Sequence, residues 1–308
     1  MAELSTDERA GPTLAVDLGG TRMRAAVIAA DGVVSGRSVQ ATPQDAECPE
    51  ALIGLVGEVL ERGETTHAVI GVPGRVDYGR GRLEHAPNLP SGWPQALDEE
   101  LLGARLGLPV RLANDADLAA VGEACFGAGR GHRDVAYLTI STGMGAGVVL
   151  DGRLVAGTRS LAEVGHTVID QPAALRGAVA TLEHLGSGTA LERRAAEVGL
   201  PAAGAEIIEL VHAGDPDAAR VWDEVVAIIA VGVANLAFLF SPTVVVLGGG
   251  VGRNGDLLIG PVEEHLRAHG PPDLPTPIRV VEAALGDDAG LVGAAGWLDA
   301  TEEQSRGR

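Results

Sequence analysis

The chain contains no lysine, so all 23 of its basic side chains are arginine. That absence excludes a Walker P-loop, a protein-kinase strand lysine and any Schiff-base mechanism, each of which needs a lysine amine. Cysteine is nearly as scarce. Cys48 and Cys125 stand far apart without Cys-x-x-Cys spacing, which indicates neither a disulfide framework nor a cysteine metal knot and fits a reducing compartment. Positive charge is outweighed too: 42 acidic residues give a formal charge of −19. A basic footprint is what supplies affinity for phosphate backbones, so nucleic acid is not expected as a partner. Met1 to Gly11 has neither the basic start nor the apolar core of a secretory signal, and the expected location is the cytoplasm. Long hydrophobic runs are missing as well. The longest, Val225 to Phe240, is interrupted by Asn235 and stopped by Ser241-Pro242, short of the roughly 20 residues of a membrane span, so it reads as a buried core helix with no membrane partner. Gly-x-Ser-x-Gly and His-Glu-x-x-His are absent, which leaves hydrolase and zincin readings unsupported.

What is present fills 308 residues, enough for two domains, with 46% apolar residues to build two cores. After about a dozen residues expected to be disordered, Thr13 to Val16, Met23 to Ile28 and Val33 to Val39 read as an antiparallel start, with Asp31-Gly32 as a hairpin turn. Leu52, Leu55, Val56, Val59 and Leu60 mark a helical stripe within Pro49 to Arg62, ahead of a buried-strand run from His67 to Val72. Strand, helix and strand alternate, the signature of an α/β lobe. A long irregular connection, punctuated by Pro73-Gly74, Asp77-Tyr78-Gly79 and Pro87 to Pro90, leads to a helix over Leu97 to Leu106 and a strand over Pro109 to Leu112. A helix over Asp117 to Phe126 follows, and then Asp134 to Ile140 and Gly147 to Leu150 repeat the strand-turn-strand scheme of the N-terminus. Helices are expected over Ala178–Val198, Ala205–Ala213, Asp217–Phe240, Asp256–Ala268 and Gly290–Leu298, strands over Thr243–Leu247 and Ile278–Ala283, and a frayed tail from Thr301.

Two glycine-rich turns carry the chemistry. In the first, Gly19 and Gly20 have no Cβ, so backbone amides can approach a phosphate closely and the Thr21 hydroxyl adds a donor; Asp17 just before them could hold a magnesium-bound water. The second contains Thr142, Gly143 and Gly145. Between the two lies Asn114-Asp115, where Asp115 is placed to serve as a base and Asn114 offers an amide that both donates and accepts. Either residue could instead cap the helix beginning near Ala116, a task Asp117 could also perform. Gly248-Gly249-Gly250, after a strand, suits the close passage of a flat ligand, and Glu163-Val-Gly-His166 sets two polar side chains around a glycine, able to bracket neighbouring hydroxyls. His265 and His269, spaced i, i+4 without a third ligand nearby, read as a solvated helix face.

Eight segments in order carry a resemblance to the ROK sugar kinases of the actin-like ATPase superfamily: Asp17-Leu-Gly-Gly-Thr21, Gly71-Val-Pro-Gly74, Ala86-Pro-Asn-Leu89, Ala113-Asn-Asp-Ala116, Ser141-Thr-Gly-Met-Gly145, Glu163-Val-Gly-His166, Leu247-Gly-Gly-Gly250 and Asp288-Ala-Gly-Leu291. The resemblance implies an α/β, two-lobed actin-like ATPase (ribonuclease H-like) fold, with nucleotide and sugar meeting in the cleft. Residues 1–113, with 289–308 packing back, are expected as the smaller lobe and 114–288 as the larger. It implies ATP with Mg²⁺ as cofactors, a hexose such as glucose phosphorylated at its C6 hydroxyl, and a homodimer. It also implies Asp115 as the catalytic base, and Gly74, Asn88, Asn114, Glu163, His166 and Glu183 as sugar contacts. The second turn falls to the outer phosphates and Gly248 to Gly250 to the adenosine.

The chain departs from the family at one place. Most members follow the histidine with Cys-x-Cys-Gly-x-x-Gly-Cys-x-Glu, whose thiolates bind zinc, whereas aligning back from Glu183 puts Ala174, Arg176 and Thr181 at those positions and keeps only Gly177. Tetrahedral zinc cannot be built from such residues, so no structural metal is expected and the sugar loop must be held by packing. Amino sugars (N-acetylmannosamine, 3-amino-3-deoxyglucose) and fructose remain alternative substrates, because they differ from glucose by single groups. A sugar-sensing regulator of the same family is disfavoured by the absence of a helix-turn-helix before Thr13 and by the acidic charge.

Overall fold

A computed structural model describes residues 11–306 except 45–47, 62, 64, 91, 162 and 275. The chain divides into two units: residues 1–131, 151–161 and 287–308, and residues 132–150 and 162–286.

In the first unit five strands lie side by side in the order Val34–Ala41, Arg22–Ile28, Thr13–Leu18, His67–Val72, Val110–Asn114. The first three pair antiparallel and the last two join in parallel. Burial explains the arrangement. The central strands Thr13–Leu18 and His67–Val72 are apolar and buried on both faces, as parallel neighbours covered by helices must be, while the edge strand alternates half-buried with exposed residues. The stripe Leu52, Leu55, Val56 and Val59 of helix Cys48–Leu60 lies in the same core as Leu14, Val16 and Ile70. Helix Asp115–Phe126 packs against the C-terminal helix Ala289–Arg306. At that crossing Gly293 lies so close to the Leu118 carbonyl that any side chain would collide with backbone.

The second unit repeats the plan. Strands Val135–Ile140 and Met144–Leu150 form a hairpin, and Val244–Gly248 and then Arg279–Glu282 add in parallel beyond the first of them. Each hairpin has a glycine turn at its tip, so the weak repeat legible in the sequence is a repeat of topology. Pro216–Phe240 is the helix among the described residues long and apolar enough to cross a membrane. It is instead a packing helix: Trp222, Val225, Ile229, Val233 and Leu236 are buried, and it contacts Leu182–Gly186, Gly204–His212 and Gly255–His269.

Several expectations need correction. The connection after Val72 is not irregular throughout: Arg75–Asp77 and Arg82–His85 pair as a hairpin, too short and too polar to show an alternating pattern. The helix expected over Ala178–Val198 is two helices, Leu182–Gly186 and Gly188–Glu197, because Ser187 is extended and its hydroxyl accepts from Ala190 N–H, capping the second. The last helix continues through Thr301 to Arg306, a stretch rich in good helix formers, so the tail is not frayed there. The expected division at residue 113 falls after Gly131 instead, because helix Asp115–Phe126 is bound to Ala289–Arg306, and residues 151–161 also belong with the first unit. The first ten residues lie outside those described.

Candidate active site

In the first unit, strand Thr13–Leu18 delivers Asp17 to the edge of the first glycine turn. Its partner in register on the next strand is Arg24, whose Nε donates to Asp17 Oδ2 at 3.0 Å and whose Nη2 pairs with the same oxygen. Arg24 Nη2 also donates to the Asp287 carbonyl at 2.6 Å. The turn is fixed from within by Gly19 N–H to the Arg22 carbonyl at 2.9 Å. From outside, the Thr42 hydroxyl donates to the Gly19 carbonyl at 2.6 Å and the Gln44 amide to the Gly20 carbonyl at 2.9 Å. A Cβ on Gly20 would stand 2.6 Å from the Asn88 carbonyl oxygen, so this glycine is required where the loop carrying exposed Asn88 crosses the turn. Thr21 is exposed at the tip.

The same unit brings Gly74, Asn114 and Asp115 together. Gly74 has φ 110°, a left-handed conformation next to the His85 carbonyl. Its own carbonyl accepts from Asn114 Nδ2 at 2.9 Å. Asn114 Oδ1 accepts from Ala116 N–H at 2.9 Å and Asp117 N–H at 3.1 Å, so Asn114, not Asp117, is the N-cap. Its oxygen is thereby committed, and the amide is not the open donor and acceptor that the sequence suggested. Asp117 is fully buried and accepts from the Tyr78 hydroxyl at 2.7 Å; Tyr78 in turn accepts from Asn114 N–H at 3.1 Å and its ring packs on Trp297. Burial, then the Asp117 carboxylate, push the Tyr78 phenol well above its usual range, so it stays a donor. Asp115 is the first residue of the helix and is exposed between buried neighbours. Sequence reasoning missed Tyr78 and Arg24; the strand register opposite Asp17 was the one signal for the latter.

In the second unit the remaining candidates gather around the second turn. Ser141 and Thr142 are exposed, and the turn closes by Ser141 N–H to the Gly143 carbonyl at 2.9 Å. Glu183 Oε2 accepts from Met144 N–H at 2.8 Å, and a Cβ on Gly143 would meet that oxygen at 2.5 Å. One carboxylate oxygen of Glu183 therefore braces the turn, a role its expected sugar contact did not foresee. Gly165, in the short 3₁₀ helix Val164–His166, sits against the Met144 carbonyl with no room for a side chain. This contact anchors Glu163 and His166 beside the turn; His166 Nε2 lies 3.9 Å from Glu163 Oε2, and their side chains are 70% and 48% exposed. Gly248 ends its strand against Tyr137, and Gly249, at φ 81°, lies against the Ile140 carbonyl at the entrance to the turn. Around Gly250, by contrast, there is open space, so packing within the chain does not require a glycine there.

The segment lacking the family's cysteines is tied by backbone and caps. Asp170 Oδ1 accepts from Ala173 N–H at 2.9 Å and Thr181 Oγ1 from His184 N–H at 3.4 Å. Ile169 N–H donates to the Ala180 carbonyl at 3.0 Å and Leu182 N–H to the Thr167 carbonyl at 2.9 Å. No group of three or more metal-binding side chains is formed among the described residues.

Two related sheets, each with a glycine turn at its hairpin tip, the second with exposed Glu163 and His166 beside it, together with the sugar-kinase relatives, mark a sugar kinase: a phosphotransferase with an alcohol acceptor. The chain belongs to the ROK family, whose sequence model matches residues 13–301. It is 33% identical over 303 residues to a glucokinase of Thermotoga maritima, covering 92% of this chain and 95% of that one. A Streptomyces coelicolor glucokinase is 34% identical over 311 residues, covering 92% and 96%. Among solved structures, a ROK family glucokinase from Streptomyces griseus in complex with glucose and AMPPNP superposes with a TM-score of 0.79 at 34% identity, covering 92% and 98% of the two chains.

Proposed function

We propose that the protein is an ATP-dependent hexose kinase that phosphorylates the C6 hydroxyl of glucose, with Asp115 as the base. The observation that carries this reading is the exposed carboxylate of Asp115 at a helix N-terminus whose cap, Asn114, is tied to Gly74. Phosphoryl transfer asks the protein chiefly to position groups and neutralise charge. The sugar oxygen attacks the γ-phosphorus, the bond from that phosphorus to the β-bridging oxygen breaks, the hydroxyl proton passes to Asp115, and ADP leaves. Mg²⁺ enters with the nucleotide. Asp17 Oδ2 is held by Arg24, which leaves Oδ1 as the oxygen available to a magnesium-bound water. Glu163, His166 and the second oxygen of Glu183 orient the ring hydroxyls, with Asn88 and the second N–H of the Asn114 amide assisting. Gly19 to Thr21 and Thr142 to Gly145 receive the phosphates, and the open space around Gly250 admits the adenosine. The family relationship supports a cytoplasmic homodimer, which sedimentation equilibrium would check.

A coupled ADP-release assay over a panel of hexoses, amino sugars and fructose tests the reading. Glucose should give the largest kcat/KM. A larger value for an amino sugar or fructose would move the substrate within the class, and the absence of sugar-dependent ADP release would refute the activity.

A further inference from the structure

The hairpin Arg75–Asp77 and Arg82–His85 forms one wall of an open groove of about 780 Å³ in the first unit, and the kinase reading leaves it unused. Across from it, Pro94, Leu97 and Leu101 add apolar surface beside Gln95. Two acids also line it, and both are occupied. Glu84 is clasped by the Arg159 guanidinium at 2.6 and 3.0 Å, and Asp98 Oδ1 accepts from the N–H groups of Glu100 and Leu101 at 3.0 and 3.1 Å as a helix cap. The basic side chains of Arg75 and Arg82 lie in the field of Glu84 without pairing to it. Among the described residues Arg75 and Arg82 make no ion pair, in a chain whose net charge is −19. Arg75 and His85 are moreover cross-strand partners, at a register shift in the hairpin.

We infer that this groove binds a small phosphate-bearing molecule, with Arg75 and Arg82 as its anion ligands and the apolar surface against its carbon skeleton. Guanidinium forks match phosphate oxygens in pairs. A groove of this size accommodates a ligand well beyond bare phosphate.

The test reads the groove itself and needs no turnover, so it stands or falls separately from the kinase reading. The full chain, carrying ¹⁵N-histidine, is titrated at fixed pH with inorganic phosphate and then with phenyl phosphate, and the imidazole resonances are followed. His85, one of eight histidines, is identified by its loss in His85→Gln. Its signals should shift to saturation, at lower concentration with phenyl phosphate than with phosphate. Arg75→Ala and Arg82→Ala should each weaken the response about tenfold or more, while Arg82→Lys, which keeps the charge and loses the fork, should weaken it less. Circular dichroism checks that each variant is folded. A stationary His85 signal while other histidines respond, or equal affinity in the wild type and both alanine variants, overturns the inference.

Discussion

Asn114 is where fold and site are most tightly joined, and a pair of substitutions separates its two tasks. Oδ1 holds two backbone N–H groups of the helix that begins with Asp115, and Nδ2 holds the Gly74 carbonyl. Asn114→Ala removes both. Loss of an N-cap costs about 1 kcal/mol, and stranding the part-buried Gly74 carbonyl costs about 1–3 kcal/mol more, so the variant should lose about 2–4 kcal/mol. Asn114→Asp keeps the acceptor that caps the helix and loses only the donor to Gly74, so it should be damaged less than alanine by about the cap's share. Urea unfolding followed by far-ultraviolet circular dichroism gives the totals, and hydrogen exchange at the Ala116 and Asp117 amides isolates the cap. Those two amides should lose protection in Asn114→Ala and retain it in Asn114→Asp. An alanine variant within about 0.5 kcal/mol of wild type, with both amides still protected, would refute the argument.

Other expectations follow from single contacts. Gly165→Ala should misplace Glu163 and His166 by driving a methyl group into the Met144 carbonyl; KM for the sugar should rise, and because Met144 belongs to the turn proposed for the phosphates, nucleotide affinity should fall with it, which separate binding titrations would show. Tyr78→Phe removes the hydroxyl that donates to the buried Asp117 carboxylate and should cost about 2 kcal/mol in urea unfolding. Because Tyr78 is raised by burial and by Asp117, its phenolate absorbance should appear only on unfolding, at a pH where an exposed tyrosine is already ionised. Burial raises the Glu99 carboxyl above its usual range, with the Leu112 N–H hydrogen bond and Arg111 opposing in part. The folded state therefore holds that proton more tightly than the unfolded chain, and stability falls as pH climbs from the ordinary carboxyl value through the raised one. The stability of Glu99→Gln relative to wild type should accordingly rise across that window and then level off, and a pH-independent difference between the two urea midpoints would contradict it.

Much of the fold was legible because its signals are local. The buried run His67–Val72 and the stripe on helix Cys48–Leu60 carry their periodicity in consecutive residues, and the structure places both within two residues of expectation. What escaped was decided by partners distant in sequence. Arg75–Asp77 and Arg82–His85 show no alternation of their own; Val76 and Leu83 are buried because Leu97 and Trp93 complete their core. The boundary after Gly131 depends on glycine contacts between helices more than 160 residues apart, such as that of Gly293 with Leu118. At the candidate site, the glycines of both turns, Asn114 and the Glu163 segment were singled out by motifs and by the family resemblance those motifs carry. That Asn114 could cap the helix was one alternative in the sequence, and the fold chose it; nothing in the motif spacing told that Glu183 would brace the second turn or that Tyr78 would reach Asp117 from 39 residues away, since each is a side-chain contact made only by the folded chain.

The central claim, that a hexose hydroxyl takes the γ-phosphoryl group of ATP with Asp115 as the base, is tested most directly by ³¹P NMR of the chain incubated with ATP, Mg²⁺ and glucose. Wild type should convert the γ-phosphoryl signal into a phosphomonoester coupled to the protons on C6, and Asp115→Asn, with nucleotide affinity retained, should do so about 10²–10⁴-fold more slowly. Release of inorganic phosphate alone by the wild type, or an undiminished rate in the folded Asp115→Asn variant, would contradict the account.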